Sequence, residues 1–188
     1  MSLTLIVGCM FGGKTTELLR MVEREESIER SVLVINHMAD SERSGKYLLK
    51  THSGKERRID YEFGEFTNKI FDDIKKRNVD TIAINEGQFF HNLSQFVLKF
   101  LEQGINVIVC GLDSDYKREP FREITDLIPH ANNLIKLYAL CIVCKNGTPA
   151  LYSKRICGGE SRIQIGGGDS YIPVCRKCYE WDGVQFDT

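Results

Sequence analysis

The sequence predicts an α/β fold: a parallel sheet with helices on both faces, followed by a small cysteine-rich unit. Three observations predict it. Short apolar runs alternate with helical spacing through the first two-thirds of the chain; a glycine-rich loop follows the first run; and two Cys-x-x-Cys pairs stand near the end. Continuous apolar runs, rather than alternating ones, suit strands covered on both faces. Strand–helix–strand repetition implies parallel pairing through right-handed crossovers.

LTLIV (3–7) is a β-rich run that ends in glycines, and KTTELLRMVEREE (14–26) sets Leu18, Leu19 and Val22 at helical spacing. SVLVI (31–35) and DTIAIN (80–85) are buried-type strands, and LSQFVLKFLEQG (93–104) is a helix closed by Gly104. NVIVCGL (106–112) and NLIKLYA (133–139) complete five expected strands. The polar stretch 38–58 is expected to be a mobile loop or a short hairpin. Beyond about residue 140, cysteines, glycines and short polar strands replace the helices, so the expected division is 1–139, a nucleotide-binding domain, and 140–188, a metal-binding domain.

Composition excludes more than it assigns. The chain has 188 residues, 42% of them hydrophobic and 27% charged, which suits one globular domain with an appendage. A formal net charge of −1 gives no basic surface for nucleic acid, so no nucleic-acid partner is expected. The opening MSLTLIVG lacks the charged flank and length of a signal peptide, and no run approaches the roughly 20 apolar residues of a membrane span. A soluble cytoplasmic protein with no membrane partner is expected. Its seven cysteines then favour metal or reduced thiols over disulfides.

Residues 8–15, GCMFGGKT, fit G-x-x-x-x-G-K-[ST] between a strand and a helix. That context distinguishes a phosphate-binding P-loop from a chance glycine turn. Backbone N–H groups of such a loop point at phosphate oxygens. Lys14 adds a positive charge near the β- and γ-phosphates, and the Thr15 hydroxyl is placed to ligate Mg²⁺. The fold class is therefore of the P-loop NTPase type.

IAINEGQFF (82–90) places one acid, Glu86, at the end of a strand, with an amide, Asn85, where a second acid would be expected. Ligands of open α/β sheets bind along that strand edge. A carboxylate there can take the proton of an acceptor hydroxyl as it attacks a γ-phosphate; the plain alternative is an exposed acid with no task. Phe89 and Phe90 follow and can sandwich a flat ring, although aromatic pairs are more often core. GLDSDYKREPF (111–121) shares the edge, with Leu112, Tyr116 and Phe121 as pocket candidates.

Cys141-x-x-Cys144 and Cys175-x-x-Cys178 read as a tetrahedral four-cysteine structural zinc site that ties down residues 145–174, with a disulfide pair as the alternative. Between them, IQIGGGDSYIPVC (163–175) has three glycines that permit close backbone approach to a ligand, or else form an ordinary turn. Cys9, in the loop, is a candidate for oxidation sensitivity; Cys110 is expected to be buried.

Taken in order, GCMFGGKTTELLR, VLVIN, THSG, INEGQFF, GLDSDYKREPF, LYALCIVC, YSKRI and IGGGDSYIPVCRKCY resemble the cytosolic, zinc-containing type of thymidine kinase over nearly the whole chain. The resemblance implies transfer of the ATP γ-phosphate to the 5′-hydroxyl of thymidine. It implies Glu86 as general base and an ATP site of Gly8, Cys9, Met10, Phe11, Gly12, Gly13, Lys14, Thr15 and Thr16, with Asp40, Asn85 and Gln88 beside it. Met10, Phe89, Leu112, Tyr116 and Phe121 would surround the thymine. Ile163, Gln164, Ile165, Gly166 and Tyr171 would form a lasso-like covering loop whose main chain reads the base edge. The resemblance further implies Mg²⁺ with ATP, zinc on the four cysteines, a homotetramer, and thymidine triphosphate as feedback inhibitor. Three departures stand out. Asn85 replaces an Asp, which is expected to weaken Mg²⁺ binding; Tyr116 replaces a Phe; and the arginine expected to neutralise transferring phosphate is displaced by one position, to Arg43.

Overall fold

The apolar runs become strands of one sheet in a computed structural model, which describes residues 1–40, 45–51, 54–159 and 161–180. In chain order the elements are β1 (Leu3–Gly8), α1 (Lys14–Glu26), β2 (Val32–His37), β3 (Leu48–Lys50), β4 (Glu56–Arg58), β5 (Tyr61–Phe63), α2 (Asn68–Lys76), β6 (Thr81–Ile84), α3 (Leu93–Glu102), β7 (Asn106–Gly111), α4 (Arg122–Thr125) and β8 (Asn133–Leu137). The C-terminal unit adds β9 (Ala139–Leu140), β10 (Pro149–Ala150), β11 (Tyr152–Arg155), β12 (Tyr171–Val174) and α5 (Arg176–Glu180).

The main sheet has six strands in the order β5-β2-β6-β7-β1-β8, and its pairings are parallel. Along β1, Leu3, Leu5 and Val7 pack to one face and Ile6 to the other. That is why the run is apolar throughout: both faces are covered. Leu18, Leu19 and Val22 of α1 cover one face. On the other face Leu93, Phe96, Val97 and Phe100 of α3 join Phe66 and Phe90 in an aromatic core. Parallel strands bring the carboxyl ends of β1, β6 and β7 to one edge, and the functional loops leave from there.

Two elements of the sheet layer were not expected from sequence. Strand β5 pairs with β2 at the sheet edge, and α2 packs Ile74 into the core. Helix α2 has a readable signal: Thr67 Oγ1 accepts from the Ile70 amide (3.2 Å), and Ile70, Phe71 and Ile74 follow at helical spacing. In the polar stretch 38–58, β3 and β4 form an antiparallel hairpin, so the hairpin alternative holds over the described part. The expectation that no helix follows residue 140 is corrected by α5, a short helix that starts after Cys175 and carries Cys178. Strand β8 is more open than its apolar run suggested, with Leu134 half exposed on the outermost strand. Among the described residues no helix is long and apolar enough to cross a membrane.

The C-terminal unit has two small antiparallel pairs, β9–β10 and β11–β12. Its core consists of Ala150, Ile172 and Val174 with three of the four paired cysteines. It is bonded to the phosphate loop: the Cys9 thiol donates to the Ala150 carbonyl (3.2 Å), and the Met10 amide donates to Ser153 Oγ (2.9 Å).

Candidate active site

One cavity opens at the carboxyl edge of the sheet. Met10, Phe11, Gly13, Lys14, Thr15 and Thr16 of the loop line it, with Asp40, Glu86 and Gln88. Phe89, Leu112, Tyr116, Phe121, Ile163, Gln164, Ile165, Gly166 and Tyr171 line it too. Every residue that the resemblance sets around the thymine therefore shares a wall with the phosphate loop. Gly8, Cys9, Gly12 and Asn85 are not on the lining, and Arg43 lies outside the described residues. The sequence reading missed Ala39, Ser114, Asp115, Ser153 and Arg162 on the same wall, which Gly167 of the glycine triplet also lines.

The phosphate loop depends on backbone that side chains would block. Gly8 has φ of 141°, and a Cβ there would lie 2.0 Å from the Leu137 carbonyl oxygen. Gly13 is the N-cap of α1 and brings no side chain to cap it, so the positive end of the helix is left for an anion. Lys14 Nζ donates to the Cys9 carbonyl (2.8 Å), which holds the ammonium against the loop. Cys9 is 3% exposed, and burial, the largest influence, raises its pKa. The expected oxidation sensitivity is therefore corrected: the group is a buried thiol donor, not a thiolate.

Glu86 follows β6 in the left-handed region, φ 53° and ψ 41°. An L-residue pays about 1–2 kcal/mol for that conformation. The reversal starts a single 3₁₀ turn, Gly87–Phe89. Gln88 sets the carboxylate: its Nε2 donates to Glu86 Oε2 (2.6 Å), and its Oε1 accepts from the Leu112 amide (3.0 Å). A Cβ at Gly111 would come within 2.6 Å of Gln88 Oε1, so glycine there allows the bridge between the two strand ends.

The aromatic pair divides. Phe89 lines the cavity, whereas Phe90 is fully buried against Phe63 and Phe66. Phe90 is core, which corrects the expectation that both rings sandwich a ligand. His37 backs both, its ring 5.3 Å from Phe89 and 4.7 Å from Phe90. The Ala39 amide donates to His37 Nδ1 (3.0 Å), which leaves the proton on Nε2 to reach the Gly64 carbonyl (3.0 Å). Burial, chiefly, lowers the His37 pKa, so the ring is a neutral support.

Asn85 sits under the cavity in a buried chain of donors. The Cys110 thiol donates to Asn85 Oδ1 (2.9 Å), Asn85 Nδ2 to Asn36 Oδ1 (2.8 Å), and Asn36 Nδ2 to Asp40 Oδ2 (3.1 Å). Thr15 Oγ1 is a longer donor to Asn85 Oδ1 (3.4 Å). Burial pushes the Cys110 thiol up to about 12, so it remains a donor. Every donor points toward the Asp40 carboxylate, and such chains polarise cooperatively.

The covering loop is organised by arginines. Arg155 donates to the carbonyls of Gly159 (2.9 Å), Ser161 (2.6 Å) and Arg162 (3.3 Å) and to the Tyr171 hydroxyl (2.7 Å). The Tyr171 hydroxyl donates to the Gln164 carbonyl (2.9 Å). The Arg155 guanidinium also lies 3.7 Å over the Tyr116 ring, and the Tyr179 hydroxyl donates to the Tyr116 carbonyl (2.5 Å).

Cys141, Cys144, Cys175 and Cys178 place their sulfurs within 4.8 Å of one another. Cys144 Sγ is 3.6 Å from Cys175 Sγ and 3.2 Å from Cys178 Sγ, and none of the seven cysteines is in a disulfide. Those separations are far from the ~2.05 Å of a disulfide. Tetrahedral Zn–S bonds of about 2.3 Å put sulfurs ~3.8 Å apart, so the set fits a metal ion better. Burial opposes the Cys141 thiolate, but the amides of Cys144, Cys175 and Val143 outweigh it and lower its pKa, while the neighbouring thiols raise that of Cys144. Amides aimed at sulfur suit a thiolate ligand.

The thymidine kinase family profile matches residues 1–179. Thymidine kinase 1 of Dictyostelium discoideum is 38% identical over 182 residues, covering 94% of this chain and 77% of its own. The thymidine kinase of myxoma virus (strain Uriarra) is 39% identical over 178 residues, covering 93% of this chain and 94% of its own. Among solved structures, the genome packaging NTPase B204 of Sulfolobus turreted icosahedral virus 2, in complex with ATP-gammaS, aligns over 73% of this chain and 75% of its own with a TM-score of 0.44 and 11% identity.

Proposed function

Because the chain belongs to the thymidine kinase family and phosphorylates thymidine, we propose that ATP is its donor and that Glu86 is its general base. The observation that carries this reading is the single cavity that Lys14, Glu86 and the base-side residues share. The thymine would lie among Met10, Phe89, Leu112, Tyr116 and Phe121, under the 163–166 main chain. The 5′-hydroxyl of the thymidine sugar would face Glu86. As that oxygen forms a bond to the γ-phosphorus, its proton passes to Glu86, and the bond to the β–γ bridging oxygen breaks to release ADP. Lys14 and the first-turn amides of α1 neutralise the phosphates. Arg43 is proposed to assist them.

The residues fit both expected metals. Thr15 and Asp40 offer hard oxygen donors at the cavity wall, where Mg²⁺ would offset phosphate charge. The four cysteines would hold Zn²⁺, which would cross-link the unit at 140–188 to its loop. Thymidine triphosphate would inhibit by filling the substrate site. Exposed Leu134, Tyr138 and Leu140 on and after the outermost strand are consistent with a homotetramer. Seven cysteines with no disulfide among them suit a reducing cytoplasm.

Label in the γ-phosphate of ATP should appear in thymidine monophosphate when the purified protein is given Mg²⁺ and thymidine, and not when deoxycytidine replaces thymidine. Absence of transfer while both ligands bind would refute ATP as donor.

Residue 85 bears on the metal. The buried chain makes Asn85 a hydrogen-bond link, so Asn85→Asp would set an acceptor against Asn36 Oδ1. We expect that variant to lose about 1–3 kcal/mol of stability, with no gain in Mg²⁺ affinity. A lower Mg²⁺ half-saturation at an unchanged melting temperature would instead mark residue 85 as a lost ligand, as the resemblance implies.

A further inference from the structure

Arg162 leaves the covering loop and reaches the opposite wall. Its Nε donates to Asp115 Oδ2 (2.9 Å) and its Nη2 to the Pro120 carbonyl (2.8 Å), while the guanidinium lies 4.9 Å from the Phe121 ring centroid. The two halves of this contact differ in burial: the Asp115 side chain is 2% exposed and that of Arg162 is 52% exposed. Asp115 is also fixed by its own turn. Its Oδ1 accepts from the amides of Lys117 and Glu119, both at 2.9 Å, and its amide donates to the Glu119 carbonyl (2.9 Å). A pair of exposed ions contributes little, but this carboxylate is desolvated and held ready in a rigid turn, and its bond to Arg162 is charge-assisted.

Residue 162 is tied from both ends. Its carbonyl accepts from Arg155, on the hairpin that leads to the cysteine cluster, while its side chain grips the 115–121 segment. Immediately after it come the residues placed over the base, and Phe121 and Tyr116 stand on either side of the socket. We propose that Arg162 is the latch of the covering loop: a positioning residue that, with Asp115 as socket, holds residues 163–166 down on the nucleoside and is released when thymidine enters or leaves. This rests on the cavity being the nucleoside site. Arg162 need not touch the transferred phosphate, so its effect falls on thymidine rather than on ATP or chemistry.

The test compares Arg162→Ala, Arg162→Lys, Asp115→Asn and the Ala/Asn double variant by steady-state kinetics. In Asp115→Asn the amide oxygen can still accept from Lys117 and Glu119, while its NH₂ meets Arg162 donor to donor. Each broken latch should raise KM for thymidine about tenfold, the size of one charge-assisted hydrogen bond, with KM for ATP and kcat shifting far less. The double variant should be no worse than either single one, since the pair acts as a unit. Lysine at 162 should recover part of the loss, because it can reach one partner but not both. Thymidine carries no charge, so its KM should rise with ionic strength in the native enzyme and not in Arg162→Ala. Thymidine KM values within twofold of native, or effects that multiply in the double variant, would overturn the latch. If Asp115→Asn fails to fold, Arg162→Ala and its salt response decide alone, since that side chain is half exposed. A native enzyme with no saturable thymidine dependence would refute the nucleoside site itself, not the latch.

Discussion

Glutamine in place of Glu86 is expected to lower kcat by roughly 10²–10⁴-fold while ATP and thymidine still bind. The substitution keeps the size and planarity of the side chain and removes its basicity. Gln88 Nε2, which now donates to Glu86 Oε2 at 2.6 Å, would still find an amide oxygen there, so the turn should survive. The left-handed backbone at residue 86 is unchanged, because glutamate and glutamine tolerate it equally poorly. Binding constants from calorimetry and single-turnover rates separate the two effects. A rate close to native would remove Glu86 from proton transfer and leave the attacking hydroxyl to lose its proton to the phosphate. A collapse of nucleotide binding would mean that the charge at 86 supports the site rather than the reaction.

Serine at position 175 is expected to lower metal affinity by roughly 100-fold or more, since changes to groups that merely orient ligands already cost about 10–100-fold. Metal content by elemental analysis reads this directly. The consequences should spread along two routes. Cys175 follows β12, which pairs with β11, and β11 carries Arg155, which holds the covering loop. The same strand carries Ser153, which accepts from the Met10 amide of the phosphate loop. From sequence alone the loss should fall on thymidine; the Ser153 and Ala150 contacts add a smaller loss of ATP affinity. Thymidine binding should therefore weaken more than ATP binding, and a chelator should reproduce both. Unchanged metal content and thymidine affinity would mean that the four cysteines pack without a metal.

Much of the site was legible because its signals are local. The phosphate loop needs glycines, a lysine and a hydroxyl within eight residues of one strand end, and spacing alone conveys that. Two Cys-x-x-Cys pairs state their chemistry the same way. Glu86 was readable because a strand end faces the loop in any sheet of this class. Strand β5 was missed because three residues carry no period of their own and pair with a strand distant in sequence, whereas α2 was missed although Thr67 and the spacing of Ile70, Phe71 and Ile74 signal it.

The amino-acid sequence by itself determined the α/β class, the phosphate loop, the acid at the sheet edge and the cysteine set, because each depends on neighbours along the chain. Only the tertiary structure decided which polar residues meet. Asn85 joins Asn36 and Cys110 beneath the cavity, Ser153 reaches Met10 across 143 positions, and Arg162 finds Asp115 across 47. It also moved Phe90 into the core and left Phe89 on the cavity wall, though the two are adjacent in sequence. The physical reason is that a buried polar group must find a partner wherever the fold brings one, and the chain order carries no record of that distance.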